Sequence, residues 1–152
     1  MSQAQHHTPR LNFTQIAPAI YQGLAGVNDK LKDSTVGQQL IDMVYLRVSL
    51  INGCAFCVDM HWRDLVKLDV DPRVLNSLTT WRENNFFTAR ECAALQWAET
   101  LTRMGETHVP DADFEALKEF FSEKEIVDLT YAIALINAWN RIAGGFRAAL
   151  PK

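Results

Sequence analysis

A ten-residue stretch, Asn-Gly-Cys-Ala-Phe-Cys-Val-Asp-Met-His, places two cysteines and a histidine at a spacing that suits a helix. Cys54, Cys57 and His61 lie at offsets of zero, three and seven residues. Side chains three and four residues apart stack on one face of a helix, so these three share one stripe. Gly53 stands directly before the first cysteine, where the chain can turn into a new element. The stretch therefore predicts a helix that starts at Cys54.

This arrangement is suited to dithiol chemistry. A thiol in the first helical turn lies at the positive end of the helix dipole, which favours its thiolate form. Two thiols one turn apart can close a disulfide with little backbone movement, and a histidine one turn further on can transfer protons to or from them. We therefore interpret Cys54, Cys57 and His61 as a candidate redox site.

Two other interpretations of these residues stay open at this point. Free cysteine is a common core residue, and a lone histidine on a half-buried helix is usually a structural group. A Cys-x-x-Cys pair with a nearby histidine also resembles part of a zinc site. A structural zinc site needs a fourth protein ligand, and Cys92 stands alone far downstream.

The length and composition narrow the class of protein. A chain of 152 residues with a net charge of -3 and scattered Lys and Arg predicts one globular domain and no nucleic-acid partner. The polar N-terminus lacks the apolar core of a secretory signal, and the apolar run over 129–139 is too short to span a bilayer. We therefore expect a cytoplasmic protein with no membrane partner, in a compartment that keeps thiols reduced.

The hydrophobic periodicity predicts an all-α fold of six or seven helices in one domain over residues 11–150, after a disordered arm over residues 1–10. Thr88 and Ser122 each open a capping box, and Asp71-Pro72 is a helix-start signal. Gly105 is expected to end the helix that Thr88 caps. The predicted helices span about 13–32, 36–51, 54–68, 72–81, 88–104, 110–120 and 123–147. The last is apolar on nearly every side, which predicts a central position. Two apolar helices, one of them central, indicate that subunits associate.

Several polar side chains interrupt the apolar helices. Asp42 and Ser49 lie two turns apart on one side of the second predicted helix, where they can face the thiols. Alternatively, Asp42 faces water or pairs with Arg47.

A second polar group lies on the last predicted helix. Asn137, Asn140 and Arg141 form a ridge at helical spacing, which predicts a structural network or, alternatively, an interface.

Six segments carry a resemblance to a known family. They are Leu46-Arg-Val-Ser49, Ile51-Asn-Gly-Cys-Ala-Phe-Cys-Val-Asp-Met-His61, Phe86-Phe-Thr-Ala-Arg-Glu91, Trp97-Ala-Glu-Thr-Leu-Thr102, Phe121-Ser-Glu-Lys-Glu-Ile-Val-Asp-Leu-Thr130 and Ile136-Asn-Ala-Trp-Asn-Arg141. With these segments, residues 11–150 resemble the AhpD-like alkylhydroperoxidase branch of the carboxymuconolactone decarboxylase superfamily. The resemblance implies an all-helical fold, assembly as trimers or hexamers, and a small cavity at the cysteine pair.

The resemblance also implies an activity and a role for each site residue. The activity is antioxidant peroxidase chemistry in which Cys57 attacks a hydroperoxide, Cys54 resolves the sulfenic acid and His61 relays protons. The relay glutamate of the family falls twelve residues before the first cysteine, where this chain has Asp42. Phe56 replaces the histidine that well-studied members carry between the cysteines, which makes this site more apolar. A dithiol of unknown identity would reduce the disulfide, and no metal or organic cofactor is required.

Three alternatives belong to other functional classes. They are a general thiol–disulfide oxidoreductase, the lactone decarboxylation found elsewhere in the superfamily, and a non-enzymatic helical oligomer with a redox-sensing disulfide. The decarboxylase chemistry does not need a cysteine pair, so the motif argues against it.

Overall fold

The computed structural model of the protein describes residues 8–151, and all regular structure within that range is helical. This confirms the predicted all-α class. The elements are α1 (Phe13–Ile16), α2 (Pro18–Leu31), α3 (Gln38–Asn52), α4 (Ala55–Lys67), α5 (Pro72–Asn76), a 3₁₀ helix (Ser77–Glu83), α6 (Ala89–Thr102), α7 (Met104–Thr107), α8 (Asp111–Leu117) and α9 (Glu123–Phe146).

The described range holds more helices than the six or seven predicted. Two predicted helices are interrupted, and the one predicted over 72–81 is divided into α5 and the 3₁₀ helix. Ala17 separates α1 from α2 with φ −129° and ψ 62°, since a residue before proline avoids the α region. The helix that Thr88 caps ends at Thr102, and Gly105 lies inside the short α7. The prediction that Gly105 ends that helix was therefore wrong, and the break falls at Arg103.

The predicted helix starts are confirmed at three places. Thr88 and Ser122 each accept a hydrogen bond from the backbone N–H three residues later, and the glutamate there bonds back, which completes both capping boxes. Asp71 caps α5, with Pro72 in its first turn. These local bonds satisfy N–H groups that a helix start otherwise leaves without partners.

The most buried helix is α3. Residues 40–49 are all buried, and α3 packs against α4, α6 and α9. Two hydrophobic clusters meet on it: Val44 and Tyr45 belong to one, and Met43 and Leu46 belong to the other. A helix surrounded by other helices needs apolar side chains on every side. The last helix, α9, contacts α2, α3, α4 and α6 but leaves one flank exposed.

The predicted disordered arm falls mostly outside the described residues, since residues 1–7 are not described. Arg10, the last residue of the predicted arm, is hydrogen-bonded to the end of α9. Its backbone N–H donates to the carbonyl of Phe146 at 2.9 Å, and its guanidinium donates to the carbonyl of Gly145 at 2.9 Å. None of the helices in residues 8–151 is long and apolar enough to cross a membrane.

Candidate active site

The two cysteines lie where α3 turns into α4. Gly53 ends α3 in the left-handed conformation, with φ 70°, which glycine adopts readily. The backbone N–H of Cys54 donates to the carbonyl of Ser49 at 3.1 Å. Cys54 is then the N-cap of α4, and its sulfur accepts the backbone N–H of Cys57 at 3.3 Å. The predicted helix start at the cysteine motif is therefore confirmed, with Cys54 at the cap position.

Cys54 and Cys57 are joined by a disulfide, and their Cα atoms are 5.3 Å apart. Both residues are buried, with 4% and 1% of their surface exposed. They belong to the hydrophobic cluster formed mainly by α3 and α9, and Phe56, between them, packs against it. The disulfide thus lies in apolar surroundings next to backbone N–H groups at a helix start.

His61 lies one turn after Cys57 on α4 and is 6% exposed. Its ring packs against Tyr45 with a centroid distance of 4.9 Å. Neither ring nitrogen has a hydrogen-bond partner among the described residues. The Oδ1 atom of Asp42 lies 3.8 Å from Nδ1 of His61, which is close without being a hydrogen bond. The structure therefore brings Asp42, His61 and the cysteine-bearing helix together.

The pKa values of Asp42 and His61 are shifted in opposite directions by the same cause. Burial raises the pKa of Asp42 from 3.8 to about 6, against a lowering by the hydrogen bond from Gln38. Burial also lowers the pKa of His61 from 6.5 to about 4, partly opposed by the charge of Asp64. Desolvation disfavours the charged form of each group. At neutral pH His61 is therefore neutral, and its protonated form depends on the neighbouring carboxylate of Asp42 for stabilisation.

The two alternatives for Asp42 were wrong. Asp42 is 5% exposed and so does not face water, and it accepts a hydrogen bond from Nε2 of Gln38 at 3.0 Å. Arg47 instead pairs with Glu99: Nε and Nη2 each lie 2.8 Å from Oε1. The helical period places Asp42 and Arg47 on different sides of α3, so the arginine points toward α6.

Glu99 is a buried carboxylate that the sequence interpretation did not single out. Besides Arg47, it accepts hydrogen bonds from Nε1 of Trp81 at 2.8 Å and from Arg82 at 2.7 Å. Burial acts to raise the pKa of Glu99, but the donors from Trp81, Arg82 and Arg47 outweigh it and the pKa is lowered. Arg47 has apolar neighbours one turn away on α3, which indicates that it needs a buried partner, but the sequence does not show which residue that partner is.

Ser49 and the polar ridge of α9 form one network beside the cysteine turn. Asn140 donates to Oγ of Ser49 at 2.9 Å, and Nδ2 of Asn52 lies 2.9 Å from the side-chain oxygens of both Asn137 and Asn140. The guanidinium of Arg141 donates to the backbone and side-chain oxygens of Asn137. The predicted structural network is thus present. Ser49 supports the turn through its backbone and binds α9 through its hydroxyl.

Cys92 is separate from the disulfide. It is half-buried, its sulfur lies 3.9 Å from the carbonyl of Phe87, and it packs against the second hydrophobic cluster. In the part of the chain that the structure describes, no three His, Cys, Asp or Glu side chains are grouped so as to hold a metal ion.

Comparison with known proteins identifies the family of this chain. The profile of the carboxymuconolactone decarboxylase family matches residues 18–100, more than half of the chain. The chain therefore belongs to the carboxymuconolactone decarboxylase family. It is also 35% identical over 142 residues to the uncharacterized protein YdfG of Bacillus subtilis (strain 168), covering 92% of this chain and 97% of that protein.

Two solved structures share the fold. One, from Agrobacterium tumefaciens, is described as a protein of unknown function and a candidate antioxidant defence protein AhpD. It has a TM-score of 0.91 and 38% identity, and the match covers 95% of this chain and 99% of that one. The other is the AhpD core of a peroxidase-related protein from Ralstonia eutropha JMP134, with a TM-score of 0.81, 23% identity and coverage of 91% and 74%. The predicted resemblance to AhpD-like proteins is confirmed.

Proposed function

We propose that the protein is a thiol-dependent peroxidase that reduces hydroperoxides through the Cys54–Cys57 pair, with His61 and Asp42 as its proton relay. The observation that carries the proposal is the disulfide at the start of α4, one turn from a buried histidine whose Nδ1 lies 3.8 Å from a buried carboxylate. Family membership and the AhpD-like neighbours support the same chemistry.

The cycle begins with the reduced pair. Neutral His61 accepts the proton of Cys57, and the positive end of α4 stabilises the thiolate. The thiolate attacks the terminal peroxide oxygen, an S–O bond forms as the O–O bond breaks, and the sulfur is oxidised to sulfenic acid. The departing alkoxide takes the proton from His61 and leaves as an alcohol. The carboxylate of Asp42, 3.8 Å from Nδ1, stabilises the imidazolium while His61 holds the proton.

The second half of the cycle closes and reopens the disulfide. Cys54 gives its proton to His61 and attacks the sulfur of the Cys57 sulfenic acid as a thiolate. The S–S bond forms as the S–O bond breaks, and the departing hydroxide takes the proton from His61 and leaves as water. The backbone N–H of Cys57, which points at the Cys54 sulfur, stabilises the attacking thiolate. A dithiol then reduces the pair through a mixed disulfide and becomes oxidised itself. No step requires a metal or an organic cofactor.

The burial of the pair favours peroxidase over general thiol–disulfide exchange. Residues that are 4% and 1% exposed are reached by a small hydroperoxide more readily than by the disulfide of another folded protein. The apolar wall that Phe56 and the surrounding cluster supply suits an organic hydroperoxide. We propose that the chemistry takes place in the cytoplasm, where a dithiol donor keeps the pair turning over.

We further propose that the protein assembles as a trimer or hexamer. Ile16 and Ile20 are exposed to 66% and 78%, and they line an apolar groove of about 220 Å³ between the first two helices and α9. Exposed apolar surface of this kind is typical of subunit contacts. Sedimentation velocity measures the assembly directly, and a monomer at micromolar concentration would contradict this proposal.

The test of the proposed function is peroxide consumption with a dithiol donor, combined with intact mass. Wild type should turn over, Cys57→Ser should be inactive, and Cys54→Ser should stop as a sulfenic acid or a mixed disulfide with the donor. Cys92→Ser is the matched control and should keep full turnover. Full turnover by Cys57→Ser would overturn the mechanism. A single stoichiometric oxidation of wild type without turnover would replace it with a redox sensor.

A further inference from the structure

A polar surface cavity, open to solvent, lies beside the cysteine turn, on the side of α9 that faces the end of α3. Its volume is about 330 Å³, and it is lined by Asn52, Asn140, Arg141, Gly144 and Gly145. The proposed peroxidase cycle uses none of these residues. A space of this size takes a small organic molecule or one end of a larger one.

The cavity carries the exposed guanidinium of Arg141, which two hydrogen bonds hold against Asn137 and which has donors to spare. The Nη1 atom of Arg141 donates to the backbone carbonyl of Asn137 at 2.8 Å and to its side-chain oxygen at 3.0 Å. No described residue accepts from the remaining N–H groups of Arg141, and no carboxylate of residues 8–151 pairs with it. A positioned guanidinium with free N–H groups is the side chain that best binds a carboxylate or phosphate.

The charges around the cavity favour an anion. The sequence has no Asp or Glu from Leu129 to its end, and none between Asp42 and Asp59. Arg10 donates to the carbonyl of Gly145, which places a second guanidinium near the cavity. Both walls of the cavity therefore come from segments without acidic side chains, although the whole chain has a net charge of -3.

The end of a helix is normally unfavourable for an anion, but here its carbonyls are occupied. The carbonyls of Gly145 and Phe146 accept from Arg10, while those of Ala143 and Gly144 accept from the backbone N–H groups of Ala148 and Arg147. These bonds satisfy the acceptors that form the negative end of the helix dipole. They reduce the repulsion that an anion beside α9 would otherwise meet.

The two glycines keep the cavity open. A Cβ atom added at Gly144 or Gly145 would meet no atom within 4 Å, and neither glycine has a positive φ. The backbone and the packing of this chain therefore do not require glycine there, and glycine is less favourable than alanine inside a helix. What the missing side chains provide is open space next to Arg141.

The cavity lies beside the turn that bears the dithiol, although neither cysteine lines it. Asn52 is two residues before Cys54, so their Cα atoms are separated by no more than about 7 Å. Ser49 accepts the N–H of Cys54 at its carbonyl and the amide of Asn140 at its hydroxyl. A ligand held at Arg141 thus lies next to the turn that bears the reactive pair.

We infer that this cavity binds the carboxylate of an organic hydroperoxide substrate, with Arg141 as the carboxylate-binding residue. The inference rests on the proposed function, because it names the class of hydroperoxide that the site takes. Carboxylate-bearing hydroperoxides would bind through Arg141, and neutral ones would bind without it.

The kinetic test compares the hydroperoxide of a short-chain carboxylic acid with that of its methyl ester. Wild type should prefer the acid, and Arg141→Met should raise KM for the acid by about tenfold, the effect of one charge-assisted hydrogen bond, with kcat unchanged. The ester should react equally well with both proteins. Arg147→Met is the matched control, because Arg147 lies at the same end of α9 without lining the cavity, and it should keep the preference.

A binding measurement separates this inference from the proposed function. Calorimetry with the corresponding hydroxy acid, which is the reaction product, needs no turnover. Binding should weaken by about tenfold in Arg141→Met. It should also weaken progressively from Gly144→Ala to Gly144→Leu, because the added side chain fills the cavity. Gly144→Ala should at the same time raise the melting temperature, because alanine favours the helix. If the protein bound the hydroxy acid through Arg141 but reduced no hydroperoxide, the carboxylate-binding role of Arg141 would be supported and the proposed peroxidase function would be overturned. Equal affinity for acid and ester, or unchanged affinity in Arg141→Met, would overturn the inference.

Discussion

Two buried carboxylates, Asp42 and Glu99, lie on helices that pack against each other, and their surroundings differ in kind. Glu99 accepts hydrogen bonds from Arg47, Trp81 and Arg82, and its pKa is lowered. Asp42 accepts one hydrogen bond from the described residues, and its pKa is raised. A charge that is fully paired holds a fold together, whereas one left partly unpaired keeps the capacity to exchange a proton. The first arrangement is structural, and the second is suited to chemistry.

The largest expected effect is on the rate of peroxide turnover when His61, the neighbour of Asp42, is changed to Phe. Phenylalanine fills a similar space and keeps the ring contact with Tyr45 but removes both nitrogens. We expect peroxide turnover to fall by about 100- to 10,000-fold, the usual contribution of a general base. The free energy of unfolding should stay the same or rise by about 1 kcal/mol, because two buried polar atoms without partners among residues 8–151 are removed. Stopped-flow peroxide reduction and urea unfolding measure the two quantities, and a large loss of stability with normal turnover would contradict the assignment.

Glu99→Gln should have the opposite profile. It leaves the buried guanidinium of Arg47 without a counter-charge, and we expect the free energy of unfolding to fall by about 3 kcal/mol. Turnover per folded molecule should not change, because Glu99 lies outside the proposed relay. Asp42→Asn is the matched control, with a small change in stability and a large loss of turnover. If both variants lost stability equally, the distinction between the two carboxylates would fail.

The pH dependence of the free energy of unfolding tests the two proposed relay residues, Asp42 and His61. The pKa of Asp42 is higher in the folded state, about 6 against 3.8, so its contribution to stability is present at low pH and is lost as pH rises toward 6. The pKa of His61 is lower in the folded state, about 4 against 6.5, so its contribution is present above pH 6.5 and is lost as pH falls toward 4. Between about pH 4 and pH 6 the two contributions have opposite slopes and largely cancel.

Single variants should expose each slope. Relative to wild type, stability of His61→Phe should decrease as pH rises from about 4 to about 6, and stability of Asp42→Asn should increase over the same range, each by roughly 1 kcal/mol for every step of one in pH. Urea unfolding at closely spaced pH values gives both slopes. Parallel curves for wild type and both variants would mean that folding changes neither pKa.

Much of this site followed from spacing along the sequence, and part of it did not. The offsets of Cys54, Cys57 and His61 sufficed to place them on one helix, because helical period is a local property. The capping boxes at Thr88 and Ser122 could likewise be predicted, because each is complete within four residues. Glu99 and the true partner of Arg47 depend on how α3 and α6 pack, and no local pattern carries that geometry.

The smallest predicted effect concerns Gln38, the residue that gives Asp42 its hydrogen bond. Gln38 lies at the start of α3, and its amide lowers the pKa of Asp42 against the effect of burial. Gln38→Leu removes that donor, so the pKa of Asp42 should rise above about 6 while the fold is retained. Carbon-detected NMR titration of the Asp42 carboxyl measures the change, and the step that Asp42 controls in the pH profile of turnover should move in the same direction. The exposed Gln39→Leu is the control, and its titration curve should match wild type. An unchanged pKa in Gln38→Leu would mean that burial alone sets the proton affinity of Asp42, and the difference from Glu99 would then lie in the arginines rather than in the number of hydrogen bonds.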